Sequence, residues 1–325
     1  MELTINNNNH QIIDNDSVIT TGSSSFIEAN TKAVSLNHLK NDCIIPVFSK
    51  DNESTISHYE FINQTRLIVA KLFPGVLVSE PAIRVSHVVK GRIPSAIGKP
   101  ANALLEHEKT LYYERLAFTI DFPEIQENVN GNTLQLQIGG VRALNQENLY
   151  SRKTLEKFKV FIGFKNMVCT NMCIATDGVK ADIRIGSIND LEPHITGLFT
   201  NYNKEKHLGN MEKMSKYELS EYQFAHLIGK LRMFNYLSKA QKQKLFQVAL
   251  TDSQINNVVK DYYKCPNFKR ADNGSINMWN LYNLFTEANK SSYIDNNFER
   301  NVNAYELVNN LADSLEYNQS NWFLP

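Results

Sequence analysis

Lys157-Phe158-Lys159-Val160-Phe161-Ile162-Gly163-Phe164-Lys165 alternates polar and apolar residues. As a strand it sends Phe158, Val160, Ile162 and Phe164 to one side and Lys157, Lys159, Phe161 and Lys165 to the other. The first side belongs in a core. The second is a row of cations around one aromatic ring, a combination that neutralises phosphates and stacks an unpaired base. Arg152 and Lys153 extend the row backwards in sequence, and Arg115, Gln135 and Gln137 take outward positions on neighbouring strands. A second basic cluster surrounds the loop Gly91 to Pro100. There Arg84, Lys90, Arg92 and Lys99 crowd a segment leading to a helix start, a place that attracts anions. The candidate nucleic-acid-binding residues are Lys157, Lys159, Phe161, Lys165, Arg152, Lys153, Arg92 and Lys99. The same strand pattern also describes the ordinary wet side of a half-buried sheet, and the loop an ordinary proline-stiffened connector.

Other chemistries find less support. Six residues separate Gly91 from Gly98, and Pro100 follows Lys99, so the loop fails the spacing of a nucleotide-cradling P-loop. His107-Glu108, with Glu106 and Glu114 nearby, has no second histidine at helical spacing and no paired-carboxylate pattern. His87 lies in an apolar strand and reads as a core or edge histidine. Cys43, Cys169, Cys173 and Cys265 form no Cys-x-x-Cys pair and suit reduced thiols better than a zinc site. No catalytic residue, metal ligand or cofactor is assigned, and the balance leans away from an enzyme.

Composition sets the frame. Thirty-four cations against 34 anions give a net charge of zero, so any polyanion site must come from local charge. Residues 84–170 hold 12 Lys/Arg and 8 Asp/Glu, an excess of four. The chain has no apolar run of the ~20 residues that span a bilayer and no secretory-type N-terminus, so a cytoplasmic protein without a membrane partner is expected.

The elements that would position these residues follow from periodicity. Residues 1–34 are polar and Asn-rich, and read as a disordered tail, with order beginning near Leu36. Ser57 to Phe73 is an amphipathic helix with Phe61, Ile62, Thr65, Ile68, Val69 and Leu72 on one side. Ala82 to Val89 is a strand, and a helix is expected through Ala103-Leu104-Leu105. Three alternating strands follow: Arg115 to Phe122, Thr133 to Val141 and Lys157 to Val168. Asn130-Gly131 signals a hairpin, here with a connection longer than two residues. Gly139-Gly140 suggests a bulge or bend. Beyond Asp177-Gly178 the period becomes helical, with apolar lines through Phe224, Leu227, Ile228, Leu231 and Phe234, and a capping box at Thr251 and Gln254. The expected fold is α+β: an antiparallel sheet with one helix-covered face, over residues 35–205, followed by a mostly helical part, residues 206–325.

Several runs carry a family resemblance. Arg84-Val-Ser-His-Val-Val-Lys-Gly-Arg-Ile-Pro, Lys109-Thr-Leu-Tyr-Tyr-Glu-Arg, Ile138-Gly-Gly-Val-Arg, Asn148-Leu-Tyr-Ser, Phe158-Lys-Val-Phe-Ile-Gly-Phe-Lys-Asn and Ala288-Asn-Lys-Ser-Ser-Tyr-Ile-Asp occur in order. The chain resembles, over about residues 26–324, a family of Bacteroides-type mobile elements, domain of unknown function 3871. Val168-Cys169-Thr170-Asn171, together with Trp279, Tyr282, Asn283, Thr286 and Glu287, is similar to a broader phage- and plasmid-associated family. Neither brings assigned catalytic residues, and both imply a mobile-element setting. The expected function is non-enzymatic binding of nucleic acid, single-stranded DNA in particular. The order of three strands and a helix from Arg115 to Phe199 is compatible with single-strand annealing proteins by fold analogy. The alternatives are an anti-defence protein that binds a host enzyme, or an enzyme whose site gathers His87, Glu114 and Asn171.

Overall fold

The computed structural model describes residues 25–46, 55–96, 98–147 and 155–325. Its centre is an antiparallel sheet in the order β1 (Lys32–Ala33), β2 (Ala82–Arg92), β3 (Lys109–Val129), β4 (Asn132–Ala143), β5 (Glu156–Asn166) and β6 (Met172–Cys173), with β7 (Val179–Ile185) also paired to β5. Helices α1 (Leu36–Asn41) and α2 (His58–Leu72) lie within the sheet-forming half. The helical half comprises α3 (Leu191–Asn201), α4 (Lys204–Lys216), α5 (Glu221–Tyr236), α6 (Lys239–Lys242), α7 (Asp252–Lys264), α8 (Met278–Asn289) and α9 (Ile294–Glu316). A short pair, β8 (Glu218–Leu219) with β9 (Ile276–Asn277), ties α4 to the start of α8. The expected α+β order, sheet first and helices after, holds.

Local chemistry explains the best-read element. Ser57 caps α2 by accepting from the Glu60 N–H, and the Glu60 side chain returns the bond to the Ser57 N–H. The buried residues of α2 include Phe61, Ile62, Thr65, Ile68 and Val69, while Leu72 stays half exposed. This face meets Phe158, Val160, Ile162 and Phe164, which are all buried as their alternation requires. The same cluster continues into the helical half through Leu208, Met211, Phe285 and Leu311.

Other expectations need correction. The packed chain starts before Leu36: Phe26 and Ile27 are buried, and Arg84 donates to the Thr31 carbonyl. No α-helix forms through Ala103; Ala101–Ala103 and Glu106–Glu108 are single 3₁₀ turns on either side of extended Leu104 and Leu105. Pro100 at the start and two consecutive extended residues leave no room for a cooperative helix. The hairpin after β3 is a true two-residue turn. Asn130 and Gly131 both have positive φ, and Val129 pairs with Asn132. Pro123 hides this in the sequence, because β3 bulges between Asp121 and Gln126 and then resumes. Gly139 and Gly140 mark no bulge. They pair regularly with Thr119 and Phe118, and their missing side chains leave space for rings. A Cβ on Gly139 would sit 2.2 Å from the Phe118 carbonyl oxygen, and one on Gly140 would sit 2.6 Å from the Phe61 ring.

Two buried imidazoles couple this packing to pH. His58 donates through Nε2 to the Tyr113 carbonyl at 2.8 Å; burial, then the nearby Arg142 charge, pushes its pKa down to about 3. Burial alone does the same to His207. Above pH 6.5 both residues are neutral whether the chain is folded or not. Below it the unfolded chain takes up two protons that the folded chain refuses until about pH 3. Stability is therefore lost as pH falls, by about 1.4 kcal/mol per pH unit for each histidine once well below 6.5. Urea midpoints should fall between pH 6.5 and 5, above the range where ordinary carboxylates titrate, and His207→Phe should make that slope shallower. A midpoint flat across this window would contradict the assignment.

Candidate nucleic-acid interface

The row of cations on β5 does not face water. Phe161 is fully buried, and its ring meets Phe298 of α9 edge-on at 4.6 Å. Lys159 is only 4% exposed and donates to the Asp295 carbonyl at 2.9 Å and to Glu299 Oε1 at 2.8 Å. Lys165 pairs with Asp121, which also accepts from Gln137 at 2.7 Å. Lys157 lies 3.7 Å from Asp182 of β7. Arg115 turns toward Asp295, and Gln135 and Gln137 are buried. The expected exposure of Lys159 and Phe161 is thus corrected, and Lys157 and Lys165 are only partly exposed. The physical reason is a second covering of the sheet. Phe26, Ile27, Ile294 and Phe298 close over Ala117, Val141 and Phe161, and α9 brings its own carboxylates to the cations. Arg152 and Lys153 lie outside the described residues.

The loop cations are also engaged. Lys99 forms an ion pair with the Glu108 side chain, and Arg92 donates to the Lys99 carbonyl. The hydrogen bond and charge of Lys99 hold the Glu108 carboxyl below its usual range. His87 is exposed and has positive φ, with Ser86 Oγ at 3.0 Å from its Nδ1; it lies past the short β1 pairing, so of the two expected positions it takes the edge and not the core. Asn171 is buried on the far side of the sheet, four strand steps or about 19 Å from β2. His87, Glu114 and Asn171 therefore do not converge.

The two segments of the broader resemblance do meet. Asn171 Nδ2 donates to the Asn283 carbonyl at 2.9 Å, Asn166 Nδ2 donates to Asn283 Oδ1 at 3.0 Å, and Lys290 reaches Glu287 and the Cys169 carbonyl. Burial pushes the Cys169 thiol up to about 12, which keeps it protonated and unreactive. These contacts fasten the β5–β6 turn to α8 and offer no open chemistry. Among the described residues no group of three His, Cys, Asp or Glu side chains could hold a metal ion.

A different surface combines exposed rings with cations that no carboxylate neutralises, although Arg232 donates to Asn256 Oδ1. Between Glu221 and Asp252 lie thirty residues with five Lys/Arg and no Asp/Glu. Ser220 and Gln223 form the capping box that starts α5, and Phe224, Leu227, Leu231 and Phe234 anchor its inner face. Its outer stripe is Tyr222, Ala225, Gly229, Arg232, Met233 and Tyr236. Tyr222 is 72% exposed and Tyr236 83%, about 21 Å apart along the helix. Lys242 of α6 donates to the Asn235 carbonyl at 3.0 Å. Lys230 sits 4.5 Å from the centre of the Trp322 ring, and that ring walls a cleft of about 350 Å³ together with Lys244, Phe246 and Asn321. Among the described residues, none of Lys230, Arg232, Lys239, Lys242 and Lys244 lies in an ion pair with a carboxylate. The flanking acids are occupied: Glu221 accepts from Tyr263 Oη and Arg270, and Asp252 from Asn235. The acid-free span was legible in the sequence, as were the two tyrosines off the apolar line of α5. Trp322 was not, because its neighbours come from three separate elements.

With this geometry established, the comparisons give a family. Residues 6–324 match the model described as "Domain of unknown function, B. Theta Gene description (DUF3871)", and the chain belongs to that family. Searches of curated proteins and of solved structures returned no match. Among the described residues no helix is long and apolar enough to cross a membrane.

The two readings of β5 separate by experiment. Phe161→Ala should lower unfolding stability by roughly 3–5 kcal/mol, the cost of deleting a fully buried ring. A surface ring would cost under about 0.5 kcal/mol. Urea denaturation of the purified variant decides between them.

Proposed function

We propose that this protein binds single-stranded nucleic acid without acting on it, as an accessory factor of a mobile element in the cytoplasm. We place the contact on α5, α6 and the Trp322 cleft. One observation carries the proposal: the acid-free span from Tyr222 to Thr251 presents cations that have no carboxylate partner, with Lys239 and Lys244 the most open, beside exposed aromatic rings, while the β5 cations are consumed by carboxylates of the same chain. Unpaired cations release counterions from a phosphate backbone, and exposed rings stack bases without regard to sequence. The mobile-element setting rests on the family resemblance. A protein partner is the competing reading, favoured by the exposed Tyr222 and Met233, which share the outer stripe of α5 with the small Ala225 and Gly229.

Fluorescence anisotropy with single- and double-stranded oligonucleotides across salt tests the proposal. The wild-type chain should prefer the single strand. Replacing Lys239 and Lys244 by Ala should flatten the salt dependence by about 0.7 log unit for each phosphate that is no longer neutralised. Tyr236→Ala should cost about 1–3 kcal/mol and leave the slope nearly unchanged. Unaltered affinity and slope in these folded variants would remove the surface from nucleic-acid binding and leave the protein-partner reading.

A further inference from the structure

On the other side of Phe246, a cleft of about 630 Å³ opens between α4, α9 and the turn at Thr176–Gly178. Its wall holds two buried polar atoms with no partner among the described residues, His207 Nε2 and Asn309 Oδ1. His207 is 1% exposed, and its ring is fixed edge-on to Tyr305 at 5.0 Å and by Tyr202 Oη, 2.8 Å from Nδ1. Burial raises the Tyr202 hydroxyl well above its ordinary range, so it keeps its proton. With no other acceptor in reach among the described residues, that hydroxyl donates to Nδ1, which places the ring hydrogen on Nε2. Tyr305 Oη accepts from Asn210 at 2.8 Å, and its own hydrogen is left to donate.

The wall therefore offers donors in His207 Nε2–H, Tyr305 O–H and Lys206, and acceptors in Asn309 Oδ1, Asp177 and Glu306. Asp313 is already paired with Lys213, and Glu306 Oε1 and Asp177 Oδ2 already accept from Thr176 Oγ1 at 2.7 Å and the Asn203 N–H at 3.0 Å, which leaves one oxygen of each to the cleft. Asp177 and Glu306 against Lys206 leave a net negative lining, which repels phosphates. A bare cation would satisfy the carboxylates and leave both neutral donors orphaned. Hydroxyl groups both donate and accept, and the C–H face of a sugar ring covers an aromatic side chain such as Phe246. We infer that this cleft binds a neutral polyhydroxylated ligand, of the size and chemistry of a mono- or disaccharide, with His207 Nε2 and Asn309 Oδ1 as its anchoring pair. This site is separate from the basic surface, and neither depends on the other.

Saturation-transfer-difference NMR on the full chain tests the inference at millimolar probe concentration. Methyl glucoside, methyl galactoside and N-acetylglucosamine serve as neutral probes, spermidine as the cationic probe and AMP as the anionic one. Transfer to at least one sugar is expected. Asn309→Leu and, separately, Glu306→Ala should weaken it by about tenfold each, as the removal of one hydrogen bond would, with unchanged circular dichroism. Glu306 is exposed enough in its wall to tolerate the change if Asn309→Leu fails to fold. Transfer only to spermidine or AMP, transfer to no probe, or sugar transfer that persists in the folded variants would each overturn it.

Discussion

Strand β5 is buried on both faces, and much of the molecule follows from that. One face gives Phe158, Val160, Ile162 and Phe164 to the main core, and the other gives Phe161 to a second cluster. A strand covered on both sides cannot leave lysines unpaired, because a desolvated ammonium without a partner costs several kcal/mol. Each lysine of β5 accordingly meets an acid from a different element: Asp182 from β7, Glu299 from α9 and Asp121 from β3. The first turns of α9 carry Ile294 and Phe298 for the apolar part of this seal, and Asp295 and Glu299 for the charged part. Gly139 belongs to the same constraint, since Phe161 fills the space its side chain would take.

The asparagine-rich composition acquires a structural meaning at the joint between sheet and helices. Asn166, Asn171, Asn283, Asn289, Asn297 and Asn301 are buried and exchange hydrogen bonds with backbone and with one another. A buried amide satisfied in one geometry and orphaned in others fixes register more sharply than apolar contact does. At the opposite end of β4, Arg142 plays a comparable part. It is wholly buried, lies over the Phe158 ring, and holds Glu147 and Glu156 at 3.0 and 2.5 Å.

Periodicity located what periodicity can locate. The α2 boundaries, the apolar face of β5 and the helical second half were readable because each rests on contacts within one element or on a bulk preference. The second covering of the sheet was not readable from β5. A row of cations facing water and a row facing an acidic helix have the same alternation. The distinguishing signal lay far along the chain, with Asp295 standing 136 residues beyond Lys159. There, in Ile294-Asp295-Asn296-Asn297-Phe298-Glu299, an apolar pair and an acidic pair, each four residues apart, run side by side along the helix. Pro123 misled in the same manner, since a bulge and a strand end look alike until the partner strand is known. The basic surface of α5 and α6 was legible as an acid-free span, whereas the His207 cleft joins residues from three elements and had no sequence signature.

Charge in this neutral chain is segregated by burial. Where cations are enclosed, the fold supplies acids to match them, so their fields cancel within a few ångströms. Where the acids are absent, from Tyr222 to Thr251, the cations keep their field and project it into solvent over a Debye length of about 8 Å at physiological salt. Net charge alone would deny the molecule any affinity for polyanions, yet local charge decides encounter at that range. The acid-rich cleft lies directly beside this surface, since Phe246 and Asn310 wall both it and the Trp322 groove. Two concavities of opposite sign sharing one wall cannot both attract the same charged species. An anion brought to that face would be attracted on the Trp322 side and repelled at the cleft mouth.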